Sequence, residues 1–309
     1  EPVYKECQSG DCQDGEGTAT YTRSGEVLIT YTGAFVDGVP NGAGRFTNVD
    51  GSVFEGILEN GARKQGTVVF DDGDTYTGAF ENDQFSGEGT YTFGPGEFEG
   101  DTLSGLFAEG APVKATYRWS DGQTYAGDWD GWERTGKGLY TYSSGNTYEG
   151  DFVKGDRHGQ GVFTWTDGGR FSGEWVDDAR TFGNESYASG NAYTGQYADD
   201  KRNGEGRMVY ADGSTYEGGW KDNAYHGRGR YVFGSGEHQG DVYEGAYVEG
   251  SRTGSGAYTW ADGRQYTGEW TNGVRDGQGR MTWPDGMRYE GDWVNGERHG
   301  QGSFTYTDG

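Results

Sequence analysis

The chain has 309 residues, of which 31% are hydrophobic, 16% are aromatic and 62 residues are glycine. This composition excludes an ordinary aliphatic globule, and so much glycine argues against long helices. The formal net charge of −25 argues against nucleic acid and anionic membrane lipid as partners. No stretch approaches the roughly 20 apolar residues of a membrane span.

Residues 1–14 are predicted to form an N-terminal cap. Cys7 and Cys12 are the only cysteines, and no histidine lies near them. Two cysteines alone do not complete a zinc site, so we expect a Cys7–Cys12 disulfide and an oxidising compartment. The chain begins at Glu1 rather than methionine, which fits a mature product after signal removal and equally a trimmed chain.

Residues 15–309 are dominated by a repeat. A core that usually reads aromatic-x-Gly recurs twelve times, at intervals of 22, 23 or 27 residues. It starts at Tyr31, Phe54, Tyr76, Leu103, Tyr125, Tyr148, Phe171, Tyr193, Tyr216, Tyr243, Tyr266 and Tyr289. Such a period predicts a repeat array in which one supersecondary unit is stacked many times.

Each unit also contains a Gly-x-Gly start, an aromatic-x-aromatic pair and a turn that is commonly Asp-Gly, as at Asp167-Gly168. The pattern predicts strand, tight Asp-Gly turn, strand and loop. Because side chains alternate along a strand, Tyr148, Gly150 and Phe152 share one face. Glycine between aromatics leaves bare backbone on which rings can lie. The predicted fold is therefore all-β, with about twelve antiparallel hairpins.

Some units differ in length from the common repeat, and the differences recur in similar form. Longer hairpin turns are predicted near 24–30, 94–102 and 234–242, either as tolerated insertions at hairpin tips or as docking features. The 22-residue intervals start at Phe54, Leu103 and Phe171, and these units lack the first glycine of Gly-x-Gly. We interpret them as one-residue deletions in the preceding loop.

Segments 148–161 and 289–302 closely resemble the MORN repeat, and the resemblance extends over residues 13–309. It implies an elongated, single twisted antiparallel sheet or solenoid with a groove along one face. It also implies a scaffold that holds partner proteins, and some members assemble end to end. The segment around Cys7 and Cys12 resembles secreted bacterial members, so we expect a secreted protein or one of the bacterial cell envelope, periplasmic or extracellular.

Catalytic chemistry is not predicted. Three of the four histidines occupy one repeat position, and the carboxylates recur along the array without forming a unique acid/base pair. The acidic turn Asp71–Asp74 suits either calcium or, as we expect, simple solvation. We therefore predict no enzyme, no cofactor and no metal site.

The aromatic face has two interpretations, mutual packing or a binding groove. The middle of the array supplies the groove candidates Tyr125, Trp129, Tyr148, Phe152, Phe171, Trp175, Tyr193, Tyr197, Tyr216 and Trp220. Arginine recurs five residues after the second core position, either to support neighbouring loops or to bind an acidic partner. This row contains Arg63, Arg134, Arg157, Arg180, Arg202, Arg252, Arg275 and Arg298.

These features predict a non-enzymatic scaffold that binds a protein or peptide along the aromatic groove. A carbohydrate-binding cell-surface protein is one alternative, since aromatic rows also bind sugars. A filament or assembly subunit is another. The chain ends at Asp308-Gly309 within a predicted turn, so the strand at 300–306 offers an open edge for self-association.

Overall fold

A computed structural model describes residues 2–307, which form two compact units divided between Asp156 and Arg157. Within each unit the sheet is antiparallel, and each strand pairs with the next along the chain. The first unit contains β1 Tyr4–Gly10, β2 Glu16–Arg23, β3 Glu26–Val36, β4 Val39–Asn48, β5 Val53–Glu59, β6 Ala62–Val69, β7 Thr75–Glu81, β8 Gln84–Thr92, β9 Thr102–Ala108, β10 Ala111–Arg118, β11 Thr124–Asp130, β12 Glu133–Thr141 and β13 Thr147–Val153.

The second unit contains β14 Asp156–Thr164, β15 Arg170–Val176, β16 Ala179–Ser186, β17 Ala192–Ala198, β18 Lys201–Val209, β19 Thr215–Lys221, β20 Ala224–Val232, β21 Val242–Val248, β22 Ser251–Thr259, β23 Gln265–Thr271, β24 Val274–Thr282, β25 Arg288–Val294 and β26 Glu297–Thr305. Odd-numbered strands from β3 onward carry the core that usually reads aromatic-x-Gly. Even-numbered strands from β4 onward carry Gly-x-Gly, except β6, β10 and β16, which lack its first glycine. Residues 2–307 contain no helix, so the predicted all-β hairpin fold is confirmed.

The tight turn of each hairpin lies where the sequence suggested a loop. From β3 onward, two residues with positive φ connect each odd strand to the next even strand, as at Lys154 (φ 51°) and Gly155 (φ 89°). The exception is Gly131-Trp132, where only the glycine has a positive φ. The Asp-Gly segment is a wider turn, closed by a bond from the Trp165 amide to the Gly169 carbonyl at 2.9 Å. Asp167 Oδ1 accepts the Gly169 amide at 2.8 Å, so the aspartate stabilises the turn through its side chain.

The predicted long turn near 24–30 is wrong. β2 ends at Arg23 and β3 begins at Glu26, so the extra residues lengthen the strands instead of the turn. The other two extended connections are irregular loops at 93–101 and 233–241. Backbone bonds from Phe93 and Phe233 amides to the Asp101 and Asp241 carbonyls, each 3.0 Å, close their bases.

A ladder of glycines crosses each sheet at one register. Gly127, Gly138 and Gly150 are paired across β11, β12 and β13, and the same pairing continues from Gly161 to Gly302 in the second unit. A Cβ on Gly138 would lie 2.3 Å from Cε2 of Tyr125. The first-core ring therefore lies directly on the partner strand's backbone, which explains why glycine recurs there.

The tyrosines of the first core position hydrogen-bond to a bulge. Each donates its hydroxyl to the carbonyl three residues later, as Tyr243 does to Ala246 at 3.1 Å and Tyr125 to Asp128 at 2.9 Å. In β21–β22, Ala246 faces three residues, 253–255, and Gly254 takes a φ of 61°. This wide bulge leaves the Ala246 carbonyl available to the Tyr243 hydroxyl. It also requires glycine at its positive-φ position.

The three short units have a smaller bulge rather than a shortened loop. In β15–β16 only Thr181 is inserted between paired residues, and Thr181 has no positive φ. The same units have Phe54, Leu103 and Phe171 in place of tyrosine. The loss of the hydroxyl and the loss of one bulge residue therefore occur together.

Exchanging tyrosine and phenylalanine between the two bulge types is expected to destabilise both. Tyr243→Phe should cost about 1–2 kcal/mol, because the Ala246 carbonyl loses its donor. Phe171→Tyr should cost about 1–3 kcal/mol, because a buried hydroxyl gains no free acceptor; the Glu174 carbonyl already accepts the Thr181 hydroxyl at 3.4 Å. Urea denaturation of each variant checks both values, and a neutral Phe171→Tyr would contradict the explanation.

The N-terminal segment is more than a cap, because β1 adds a strand to the sheet by pairing with β2. Cys7 and Cys12 are joined by a disulfide, as predicted. Cys12 is buried, and Lys5 Nζ donates to its carbonyl at 2.9 Å. At the other end β26 pairs with β25, and the turn predicted at Asp308-Gly309 lies outside the described residues.

Candidate binding surface

The ten rings predicted to line a groove belong to the core. None is more than 9% exposed, and Tyr125, Tyr148, Phe171, Tyr193 and Tyr216 are fully buried. Rings of consecutive hairpins meet edge to face, as Tyr125 and Phe152 do at 5.0 Å. Burial also raises the pKa of Tyr125 to about 12. These rings hold the hairpins together, so their faces are not available to a partner.

The arginine row covers this core. Arg157 lies 4.4 Å from the Trp175 ring centroid, and Arg202 lies 4.6 Å from that of Trp220. Each guanidinium therefore stacks on the second-core ring of the following hairpin. Nη2 of Arg157 also donates to the Asp178 carbonyl in the next turn at 2.9 Å. These contacts support the interpretation that the arginines brace neighbouring loops.

Two hairpins have an aromatic residue at the arginine position. Phe85 stacks on Tyr76 with centroids 3.9 Å apart, and Tyr225 stacks on Tyr216 at 3.8 Å. Each of these hairpins precedes one of the long loops, 93–101 or 233–241. The aromatic residue fills the volume that the guanidinium occupies elsewhere.

In each of the two units a second row of rings, at the ends of even strands, remains partly exposed. This outer ring row contains Phe70, Phe93, Trp119, Tyr142, Trp165, Tyr187, Tyr210, Phe233, Trp260 and Trp283. Six of its ten rings pack sideways on the preceding aromatic of the same strand, as Trp165 packs on Phe163 at 4.9 Å. The aromatic-x-aromatic spacing signals the row, and the inner ring of the pair is mostly half-buried as well, as Tyr117 and Phe163 are.

The long loops are anchored by buried aspartates at the edge of this row. Asp101 is 3% exposed and accepts the Tyr117 hydroxyl at 2.6 Å and the Ser120 amide at 2.8 Å. Asp241 has the matching partners Tyr258 and Ala261. Burial and the bond to Asp101 raise the pKa of the Tyr117 hydroxyl. The loops are therefore fixed at their bases.

One carboxylate breaks the repeat and was missed in the sequence. Glu185 is 8% exposed and occupies a position that holds Phe163 or Met208 in neighbouring hairpins. Its carboxylate lies 3.2 Å from Arg180 Nη1 and accepts the Tyr187 and Tyr197 hydroxyls at 2.7 and 2.8 Å. Burial and the Glu185 charge raise the pKa of Tyr197. The signal in the sequence was that Glu185 stands at a position that is usually aromatic.

Other chemistry is not supported in the part of the chain that the structure describes. Residues 2–307 contain no group of three or more His, Cys, Asp or Glu side chains placed to hold a metal ion. They also contain no helix long and apolar enough to cross a membrane.

The chain belongs to the MORN-repeat family. The family model matches residues 31–53, 76–98, 125–147, 148–170, 193–215, 216–238, 243–263, 266–288 and 289–309. The three hairpins it does not match begin at Phe54, Leu103 and Phe171, which are the hairpins with the narrow bulge. No curated protein matches the chain.

Solved structures resemble it weakly. The TCP domain of SAS-4 (dCPAP) from Drosophila melanogaster, in complex with a proline-rich motif of Ana2, is 14% identical, with a TM-score of 0.33 over 52% of this chain and 88% of that one. The TCP10 domain of Danio rerio CPAP is 15% identical, with a TM-score of 0.35 over 62% and 89%. Similarity at this level says nothing about function.

Proposed function

We propose that the protein is a non-enzymatic scaffold that holds a polypeptide partner along the outer ring row. The supporting observation is that this row repeats a partly exposed ring on successive hairpins, each fixed by the buried core beneath it. Trp119 also lies 5.7 Å from Arg134. Repetition allows many weak contacts to add along an extended segment.

The proposed location is an oxidising compartment, in the cell envelope or outside the cell. Its support is the Cys7–Cys12 disulfide, because disulfides persist mainly in secreted and periplasmic proteins. Self-association through β26 stays a prediction.

The experiment is affinity capture from envelope, medium and lysate fractions of the source, followed by binding measurements with the purified partner. The test variant changes Trp119, Trp165 and Trp260 to alanine. The matched control changes Val153, Val176 and Val248 to alanine; these residues are 46–48% exposed at hairpin tips, away from the row. We expect the ring variant to weaken binding more than tenfold and the control to retain it.

Equal binding by both variants would contradict a role for the outer ring row. Retention of cell-wall or capsular sugar without any polypeptide would favour the carbohydrate-binding alternative. Circular dichroism of both variants ensures that lost binding does not reflect lost structure.

A further inference from the structure

The second-core tryptophans show a pattern with one exception. Trp175, Trp220, Trp270 and Trp293 each lie under the arginine of the preceding hairpin, at 4.4, 4.6, 4.8 and 4.6 Å. Trp129 has Pro112 at the arginine position instead. It is 9% exposed, more than the other four tryptophans, which range from 3% to 5%. The contact between a guanidinium and an indole is thus repeated at four tryptophans and is missing at Trp129.

The omission extends over two consecutive hairpins. The preceding hairpin has Phe85 at the same position, so no arginine of the row lies between Arg63 and Arg134. Tyr117 is partly exposed and lies 6.2 Å from Trp129. Within residues 2–307, no lysine or arginine lies over either ring. Tyr117 and Trp129 therefore lack the guanidinium contact that the corresponding rings make in other hairpins.

The turn beside this surface is also unusual. Trp132 stands where other hairpins have Asp178 or Gly273, whose carbonyls accept the arginine Nη2. Its indole is 47% exposed and meets Tyr91 edge to face at 5.3 Å. The turn therefore presents a large ring in place of a bond to the chain's own arginine.

The surroundings favour a cation. Asp130 and Glu133 flank the Trp132 turn and are exposed, and the whole chain carries a formal charge of −25. In three hairpins a carboxylate accompanies the guanidinium, as Asp178 accompanies Arg157 at 2.8 Å. A guanidinium stacks on aromatic rings and pairs with carboxylates better than an ammonium does.

We infer that the arginine-free position around Pro112, defined by Tyr117, Trp129 and Trp132, binds an arginine side chain of the partner polypeptide. The incoming guanidinium stacks on Tyr117 and Trp132 at the edge of Trp129, as the chain's own arginines do in other hairpins. This inference rests on the proposed function, because the partner supplies the arginine.

The first experiment measures fluorescence anisotropy of a labelled (Gly-Arg)₄ peptide with the full chain. Two matched peptides replace arginine with lysine or with citrulline, which is close to arginine in shape but uncharged. We expect the arginine peptide to bind at least tenfold more tightly than the citrulline peptide and at least threefold more tightly than the lysine peptide. Equal binding of the arginine and lysine peptides would indicate general attraction to an acidic chain and overturn the inference.

The second experiment places an arginine of the chain itself at position 112. Pro112→Arg copies Arg63 and Arg180, which occupy the same place in the other two narrow-bulge hairpins, so the fold accommodates it. Trp132→Gly copies Gly273. Each variant should weaken arginine-peptide binding at least tenfold. Tyr225→Arg makes the same kind of change at an arginine-free position of the second unit and should leave binding unchanged.

Unchanged binding by both Pro112→Arg and Trp132→Gly would overturn the inference, and so would equal losses in the Tyr225→Arg control. A captured partner that still binds the Pro112→Arg variant but not the outer-ring variant would leave the proposed function standing while removing this site.

Discussion

Gly138→Ala is expected to destabilise the first unit by about 3 kcal/mol, the upper range for overpacking a well-packed core. The added Cβ would lie 2.3 Å from Tyr125. The Tyr125 ring cannot move aside, because Trp129 and Phe152 contact it at 5.3 and 5.0 Å. Urea denaturation, followed by tryptophan fluorescence, measures the change. A Gly138→Ala protein as stable as the parent would contradict the role of the glycine ladder.

The chain contains its own control for this prediction. Ala115 occupies the ladder position of β10, paired with Gly105, and its hairpin has Leu103 at the first core position. Adding Tyr125→Leu to Gly138→Ala reproduces that natural combination. The double variant should therefore be more stable than the sum of the two single effects by about 1–2 kcal/mol. Strict additivity would show that ring and glycine are not coupled.

Glu185→Ala is expected to destabilise the second unit by about 3 kcal/mol, the lower range for breaking a buried ion pair. The change removes the acceptor of two tyrosine hydroxyls and one partner of Arg180. Arg180 keeps Asp200 at 2.9 Å, which limits the loss. The same denaturation measurement checks the value.

Glu174→Ala is the matched control for this carboxylate, since Glu174 is exposed on the adjacent strand. Its effect should stay within about 0.5 kcal/mol. Comparable effects of the two substitutions would show that the Glu185 cluster is not a stabilising network.

Periodicity predicted the hairpins and the glycine–ring contact, because both depend on alternation within and between neighbouring strands. Tyr125 and Gly138 could be paired from the sequence on that basis. Alternation did not reveal that Arg157 and its counterparts cover the inner rings, since that contact joins one hairpin to the next. The predicted groove rings, such as Trp175, were therefore placed on the correct face but are buried.

The other differences between the sequence-based predictions and the structure have local physical causes. The tight turn at Lys154-Gly155 requires positive φ at both residues, and lysine gives no signal for that conformation. The bulge at Gly254 could be recognised only together with the Tyr243 hydroxyl, which donates to the Ala246 carbonyl opposite the bulge. Glu185 was overlooked because acidic residues recur throughout the chain, whereas its significance lies in replacing an aromatic residue.

The paired irregularities of the two units indicate how the chain was assembled. Phe85 and Tyr225 are 140 residues apart, and so are Asp101 and Asp241, which anchor the two long loops. Six hairpins separate the members of each pair. This spacing is the one that duplication of a block of six hairpins would leave. Since hairpins join their neighbours at the same register, with glycine there in all but β10, such a copy fits without redesign of the junction, and array length can evolve in whole hairpins.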